Sequence, residues 1–170
     1  AVSMLVSLGI IEGKPDGSYA PTENVDRAQM AKMLSVIMNK GVDNSALYQS
    51  VNSGLVDVNT NWAKGHINYC YTTGIIAGRG NGKFDPSATV TALEAAKMLL
   101  VAVGYDPAIE GFEGADWAIN VSVRADEQGI FEGFTKDLSA PLNRDDAALL
   151  IYNALDVEMI QSYTTNNYPI

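Results

Sequence analysis

Two arginines occupy the same place in two parts of the sequence. Arg27 follows Asp26 and Arg144 follows Asn143, and each pair opens a stretch with apolar residues at helical spacing. Asp and Asn are favoured helix caps, because their side-chain oxygens accept from backbone N–H groups of the first turn. An arginine directly after the cap is expected to point away from the core. It would stand beside a helix N-terminus that offers unpaired N–H groups and a partial positive charge. Such an arrangement suits a carboxylate, which a guanidinium can grip through two oxygens at once. The alternative for both arginines is a surface or inter-repeat salt bridge.

Other residues could join them. Trp62 and Trp117 open helical stretches and offer flat faces, either for packing between elements or for stacking on a ring. Lys97 and Lys32 lie on helices, solvated or lining a groove. Glu94 and Gln29 stand three residues after the caps Thr91 and Asp26, where a side chain can reach back to the cap's own N–H. Asp57 is placed to cap a turn or order a groove, and Gly78 and Gly82 shape a nearby loop.

Catalysis finds little support. His66 is the single histidine and reads as a surface residue of its helix, so no two-His metal motif exists. Asp145 and Asp146 are adjacent at a helix start, diverge, and cannot straddle a glycosidic bond. The glycines from Gly78 to Gly82 lack the preceding strand and the Lys-Ser/Thr ending of a phosphate loop. Asp16-Gly17 and Asn81-Gly82 are turns without calcium-loop spacing. Cys70, the only cysteine, falls in an apolar helical stretch as a core residue. Neither a metal nor a cofactor is called for.

The elements that position these residues come as repeats. Gly9-Ile10-Ile11-Glu12-Gly13 aligns without a gap on Gly74-Ile75-Ile76-Ala77-Gly78, and the match runs on to Ala31-Lys32-Met33-Leu34 against Ala96-Lys97-Met98-Leu99. A third copy, looser and with a shorter loop, begins at Gly129-Ile130-Phe131-Glu132-Gly133 and continues through Asn143 to Leu150. Trp62-Ala63 and Trp117-Ala118 stand at matching distances before their glycines; the first copy has no such Trp. Each unit reads as helix, glycine-rich loop, helix. The first helices are expected over Trp62–Thr73 and, capped by Asp116, over Trp117–Gln128; Gly74 and Gly129 end them in the left-handed conformation. The Gly-Ile-Ile pieces are short strands or extended segments.

One helix pair cannot bury its apolar face alone, so the copies must pack together. The expected fold is mainly α, with three helix–loop–helix repeats in a pseudo-threefold cluster. The divisions are repeat 1 over 1–41, a linker over 42–54, repeat 2 over 55–105, repeat 3 over 106–156, and a tail over 157–170 that leads to a following element. An apolar start without a preceding basic residue reads as part of the first repeat and not as a signal segment.

Twenty acidic against eleven basic residues, net charge −9, argue against a nucleic-acid surface. No apolar run approaches the ~20 residues of a membrane span.

These residues resemble the S-layer homology family. Copy two carries the family pattern in Asp57-Val58, Trp62-Ala63, Gly74-Ile75-Ile76, Gly78, Gly82-Lys83-Phe84, Pro86 and Thr91 to Glu94. The resemblance implies a non-catalytic module of the bacterial cell surface or wall. It also implies grooves between repeats that bind a secondary cell-wall polysaccharide, commonly with an acidic, pyruvylated sugar, with the motif arginine on the ligand. Modified peptidoglycan and other S-layer subunits are further partners for such a module. The sequence departs from the pattern at Ala92, where the motif arginine belongs, at Asp26 and Gln29, and in the shortened third loop. A protein-interaction or S-layer assembly module that has lost glycan binding is therefore the alternative.

Overall fold

Helix caps and glycine stops divide the chain. The computed structural model describes residues 1–13 and 19–170 and contains seven α-helices: α1 (Val2–Ser7), α2 (Arg27–Met38), α3 (Lys64–Thr72), α4 (Ala92–Val103), α5 (Pro107–Glu110), α6 (Trp117–Glu127) and α7 (Arg144–Ala154). A single 3-10 turn, Ser45–Tyr48, lies between α2 and α3. Among the described residues β-pairing is limited to isolated bridges. The Gly-Ile-Ile pieces are accordingly not strands. The expected Asp16-Gly17 turn lies outside the described residues.

The caps act where the sequence placed them, with one exception. Thr91 and Glu94 form a reciprocal capping box at α4, and Asp26 and Gln29 form another at α2. At α7, Asn143 accepts from Asp146 N–H, while the Asp146 carboxylate turns to Lys136 Nζ at 2.5 Å. Asp116 makes no side-chain cap on α6. Its ψ of 10° is outside the extended region from which a cap side chain reaches the first turn. α3 begins two residues after Trp62, beyond a turn at 62–63. Its following glycine, Gly74, takes φ +81°, and Gly129 after α6 takes φ +75°, a conformation that costs other residues strain.

The three repeats close around an axis. Val25 N–H donates to Leu142 O (2.9 Å), Leu142 N–H to Val90 O (2.7 Å), and Val90 N–H to Val25 O (3.2 Å). These three residues directly precede the helix openings in their copies, so the ring of bonds is a pseudo-threefold seam. Around it, each outer helix packs on the inner helix of the preceding repeat: α3 on α2, α6 on α4, and α1 on α7. The last contact joins the first repeat to the third and closes the cluster. Met30, Leu34, Leu100, Leu150 and Ile151 from the inner helices are fully buried. Removing such side chains from water is the dominant favourable term in folding.

Candidate functional site

The arginines are not directed away from the core. Arg27 is 4% exposed, because the loop of repeat 2 lies over it. Its Nε donates to Phe84 O at 2.8 Å and its Nη2 to Ala77 O at 2.6 Å, with the guanidinium 4.5 Å from the Phe84 ring centroid. Arg144 repeats this against the loop of repeat 1. It donates to Tyr19 O (2.8 Å) and Glu12 O (2.9 Å) and lies 4.9 Å from the Tyr19 centroid. Burial, with the charge of Arg79 nearby, pulls the Arg27 pKa down to about 10, so the group is charged at neutral pH. Both arginines lock one repeat to the next through backbone carbonyls.

The helix N-termini are likewise occupied. At α2, Arg27 N–H donates to Ala88 O, Ala28 N–H to Pro86 O and Gln29 N–H to the Asp26 cap. At α7, Arg144 N–H donates to Glu23 O, Asp145 N–H to Pro21 O and Asp146 N–H to Asn143. The neighbouring loop thus takes the donors that the sequence left for an anion. At these two helix N-termini, ligand chemistry is left to side chains.

Those side chains converge in two related grooves, to which all three repeats contribute. The first has a volume of about 470 Å³ and brings together Arg27 of repeat 1, Gly78, Arg79, Glu94 and Lys97 of repeat 2, and Trp117 of repeat 3. Met98, Phe112, Glu113 and Gly114 complete its walls. The second, about 200 Å³, brings together Arg144 of repeat 3, Glu12, Gly13, Gln29, Lys32 and Met33 of repeat 1, and Trp62 of repeat 2. Every named residue of the second groove stands at the repeat-equivalent position of one in the first.

Each groove has an apolar floor, a tryptophan edge and cations on the wall. In the first, Lys97 Nζ lies 6.0 Å from the Trp117 ring centroid. Glu94 carries two duties there: Oε1 accepts from Thr91 N–H at 3.0 Å, and Oε2 meets Arg79 Nη2 at 3.3 Å. Trp62 is 59% exposed at the edge of the second, far more than a residue used only for packing between repeats. Gly78 stands in a tight place, since an added Cβ would lie 3.2 Å from both Lys83 O and the Tyr71 ring, and these neighbours would have to shift to admit it.

Asp57 and Gly82 are outside both grooves. The Asp57 carboxylate accepts from Phe84 N–H (2.9 Å) and Asp85 N–H (2.8 Å), shaping the loop that covers Arg27. Partial burial opposes its ionisation, but these N–H donors outweigh burial and hold its pKa below the usual carboxylate range. Gly82 forms the turn with Asn81, both at positive φ, and packs near Gly54 O and Val56. Arg79, Glu12 and Glu113 join the grooves without having been singled out in the sequence. Register with Lys97 and Trp117 was the one available signal for them.

His66 is buried, not a surface residue. Its Nδ1 is 2.5 Å from Ser35 Oγ of α2, and its Nε2 is 3.6 Å from Asp43. Burial lowers its pKa, against the pull of Asp43. Cys70 is fully buried, and burial raises its thiol pKa, keeping it protonated.

Among the described residues, the third junction does not repeat this side-chain set. Ala92 stands where the other junctions have arginine, and it is fully buried. The Glu132 carbonyl, equivalent to the acceptors of Arg27 and Arg144, takes Asn153 Nδ2 at 2.9 Å. Leu149 replaces the groove lysine.

The profile of the S-layer homology domain matches residues 1–31 and 56–96, within the first two repeats. The chain is 32% identical over 162 residues to a cell surface protein of Thermoanaerobacter kivui, covering 95% of this chain and 20% of that protein. It is 32% identical over 111 residues to an S-layer protein of Bacillus licheniformis (65% and 12%). To an amylopullulanase of Thermoanaerobacterium thermosulfurigenes it is 30% identical over 169 residues (91% and 9%). The chain therefore spans a fifth or less of the length of these relatives. With the family profile on two repeats, the third closing the same ring, and surface-layer proteins among its relatives, the chain belongs to the S-layer homology family.

Proposed function

We propose that this chain is a non-catalytic anchor that holds a larger protein on the bacterial cell wall by binding an acidic wall polysaccharide in its two grooves. The observation that carries the reading is the twofold recurrence of one side-chain set, a lysine and an arginine on the wall with a tryptophan at the edge. An indole face stacks on a sugar ring, and ammonium and guanidinium groups attract a carboxylate such as that of a pyruvylated sugar. The chain's net charge of −9 repels polyanions in general, so recognition must be local and geometric.

The arginines have a double role in this reading. Nε and Nη2 of Arg27 are committed to carbonyls, and the same side chain borders the groove. Relatives named as a cell surface protein, an S-layer protein and an amylopullulanase support an anchor that serves unrelated cargo.

The test is co-sedimentation with sacculi from the bacterium that makes the protein, before and after hydrofluoric acid removes the secondary polymer. Pelleting that requires the polymer is expected. Equal pelleting with stripped sacculi would make peptidoglycan the receptor. No pelleting with either would reject anchoring and leave protein assembly as the function.

A further inference from the structure

The two grooves differ in how their lysines are paired. Glu12 on the wall of the second groove reaches Lys32 Nζ, with Oε2 at 2.8 Å. Its counterpart in the first groove is Ala77, and Lys97 forms no ion pair among the described residues. The two remaining acids of the first groove do not replace Glu12. Glu94 is engaged by Arg79 and its own cap, and Glu113 lies beyond ion-pair reach of Lys97. The latched groove is also the smaller, about 200 Å³ against 470 Å³.

We infer that Glu12 is a built-in competitor for the second groove, occupying through its own carboxylate the lysine that an acidic sugar would use, so that the first groove fills first. This rests on the carbohydrate reading above. A carboxylate ligand entering the first groove meets a lysine that, among the described residues, has the Trp117 ring beside it and no acidic partner. In the second it must displace Glu12, and it meets that residue's negative charge nearby. The Glu12 side chain is 70% exposed, so the latch opens readily. Exposed ion pairs of this kind correspond to about a two- to fivefold difference in affinity. Position 12 and its equivalent, position 77, thereby set the order in which the grooves are occupied.

The chain supplies its own reporters, since its two tryptophans stand one in each groove. The indole N–H resonances, assigned with Trp62→Phe, are followed while oligosaccharides released from the sacculi by acid are added. The Trp117 signal should reach its midpoint at about two- to fivefold lower concentration than that of Trp62. Glu12→Ala should bring the Trp62 midpoint down towards that of Trp117. Ala77→Glu should raise the Trp117 midpoint and leave Trp62 unchanged. Both substitutions are at exposed positions, so the fold is preserved. A common midpoint in the parent protein, or a Trp62 midpoint unmoved by Glu12→Ala, would overturn the latch and leave anchoring intact. No response at either indole would overturn the carbohydrate reading and the latch together.

Discussion

The junction at Arg27 and the junction at Ala92 occupy equivalent places around one axis but are built in different ways. At the first, a buried guanidinium ties two loop carbonyls of the next repeat and stacks on Phe84. At the second, the position is a fully buried alanine, and Asn153 serves the carbonyl that an arginine would have met. The groove beside Arg27 carries Lys97; the corresponding position of the third repeat carries Leu149. Loss of the arginine and loss of the groove cation occur together. The comparison teaches that the family arginine is first a clasp between repeats and, through that place, a wall of the groove. A repeat that finds another clasp is free to abandon its groove.

The comparison can be broken most forcefully at Arg27. Arg27→Ala leaves two loop carbonyls without their charged donor and opens a cavity. Each hydrogen bond from a charged group contributes about 1.5–3 kcal/mol, so a loss of about 3 kcal/mol or more is expected in urea unfolding. Arg144→Ala, at a partly exposed site, should cost less. If Arg27→Ala unfolded at the parent urea concentration, the clasp would be disproved. Loss of wall binding in Arg27→Ala therefore has to be read together with its stability.

Ala92→Arg sharpens the comparison from the other side. If the third junction merely lacks an arginine, restoring one would stabilise it. The burial of Ala92 and the commitment of Asn153 predict the opposite, a destabilisation of about 1–3 kcal/mol from overpacking. Asp57→Ala acts one step further out. It removes the acceptor that orders the Phe84 loop and should cost about 1–2 kcal/mol. A normal urea midpoint would show that the loop is held by other contacts.

The smallest effect concerns pH. The folded-state pKa of His66 is lowered from 6.5, chiefly by burial. Below pH 6.5 the unfolded chain takes up this proton before the folded protein does, so stability is complete above 6.5 and declines as the pH falls from there. The urea midpoint should fall between pH 7 and pH 5, and the fall should be smaller in His66→Gln. Equal pH dependence in both proteins would remove His66 from the account.

The repeats, the capping boxes at Asp26 and Thr91, and the helix-ending glycines were legible in the sequence because each depends on residues a few positions apart. Spacing also identified Trp62, Trp117, Lys97 and both arginines. The direction of the arginine side chains was not legible. Helical periodicity describes the helix's own faces, and the groups that bury Arg27, Ala77 and Phe84, lie 50 and 57 residues away in the next repeat. His66 escaped for the same reason, its partner Ser35 standing on the inner helix of the preceding copy. Asp116 failed as a cap because residue type alone does not determine the backbone angle a cap requires.

The central claim, that the grooves hold the wall, is tested most directly by co-sedimenting the Lys97→Ala/Trp117→Ala variant with untreated sacculi beside the parent protein, each shown by circular dichroism to be folded. Neither side chain serves the arginine clasp, so the account predicts a folded protein with pelleting sharply reduced and confined to the second groove's contribution. Undiminished pelleting of that folded variant would contradict the account.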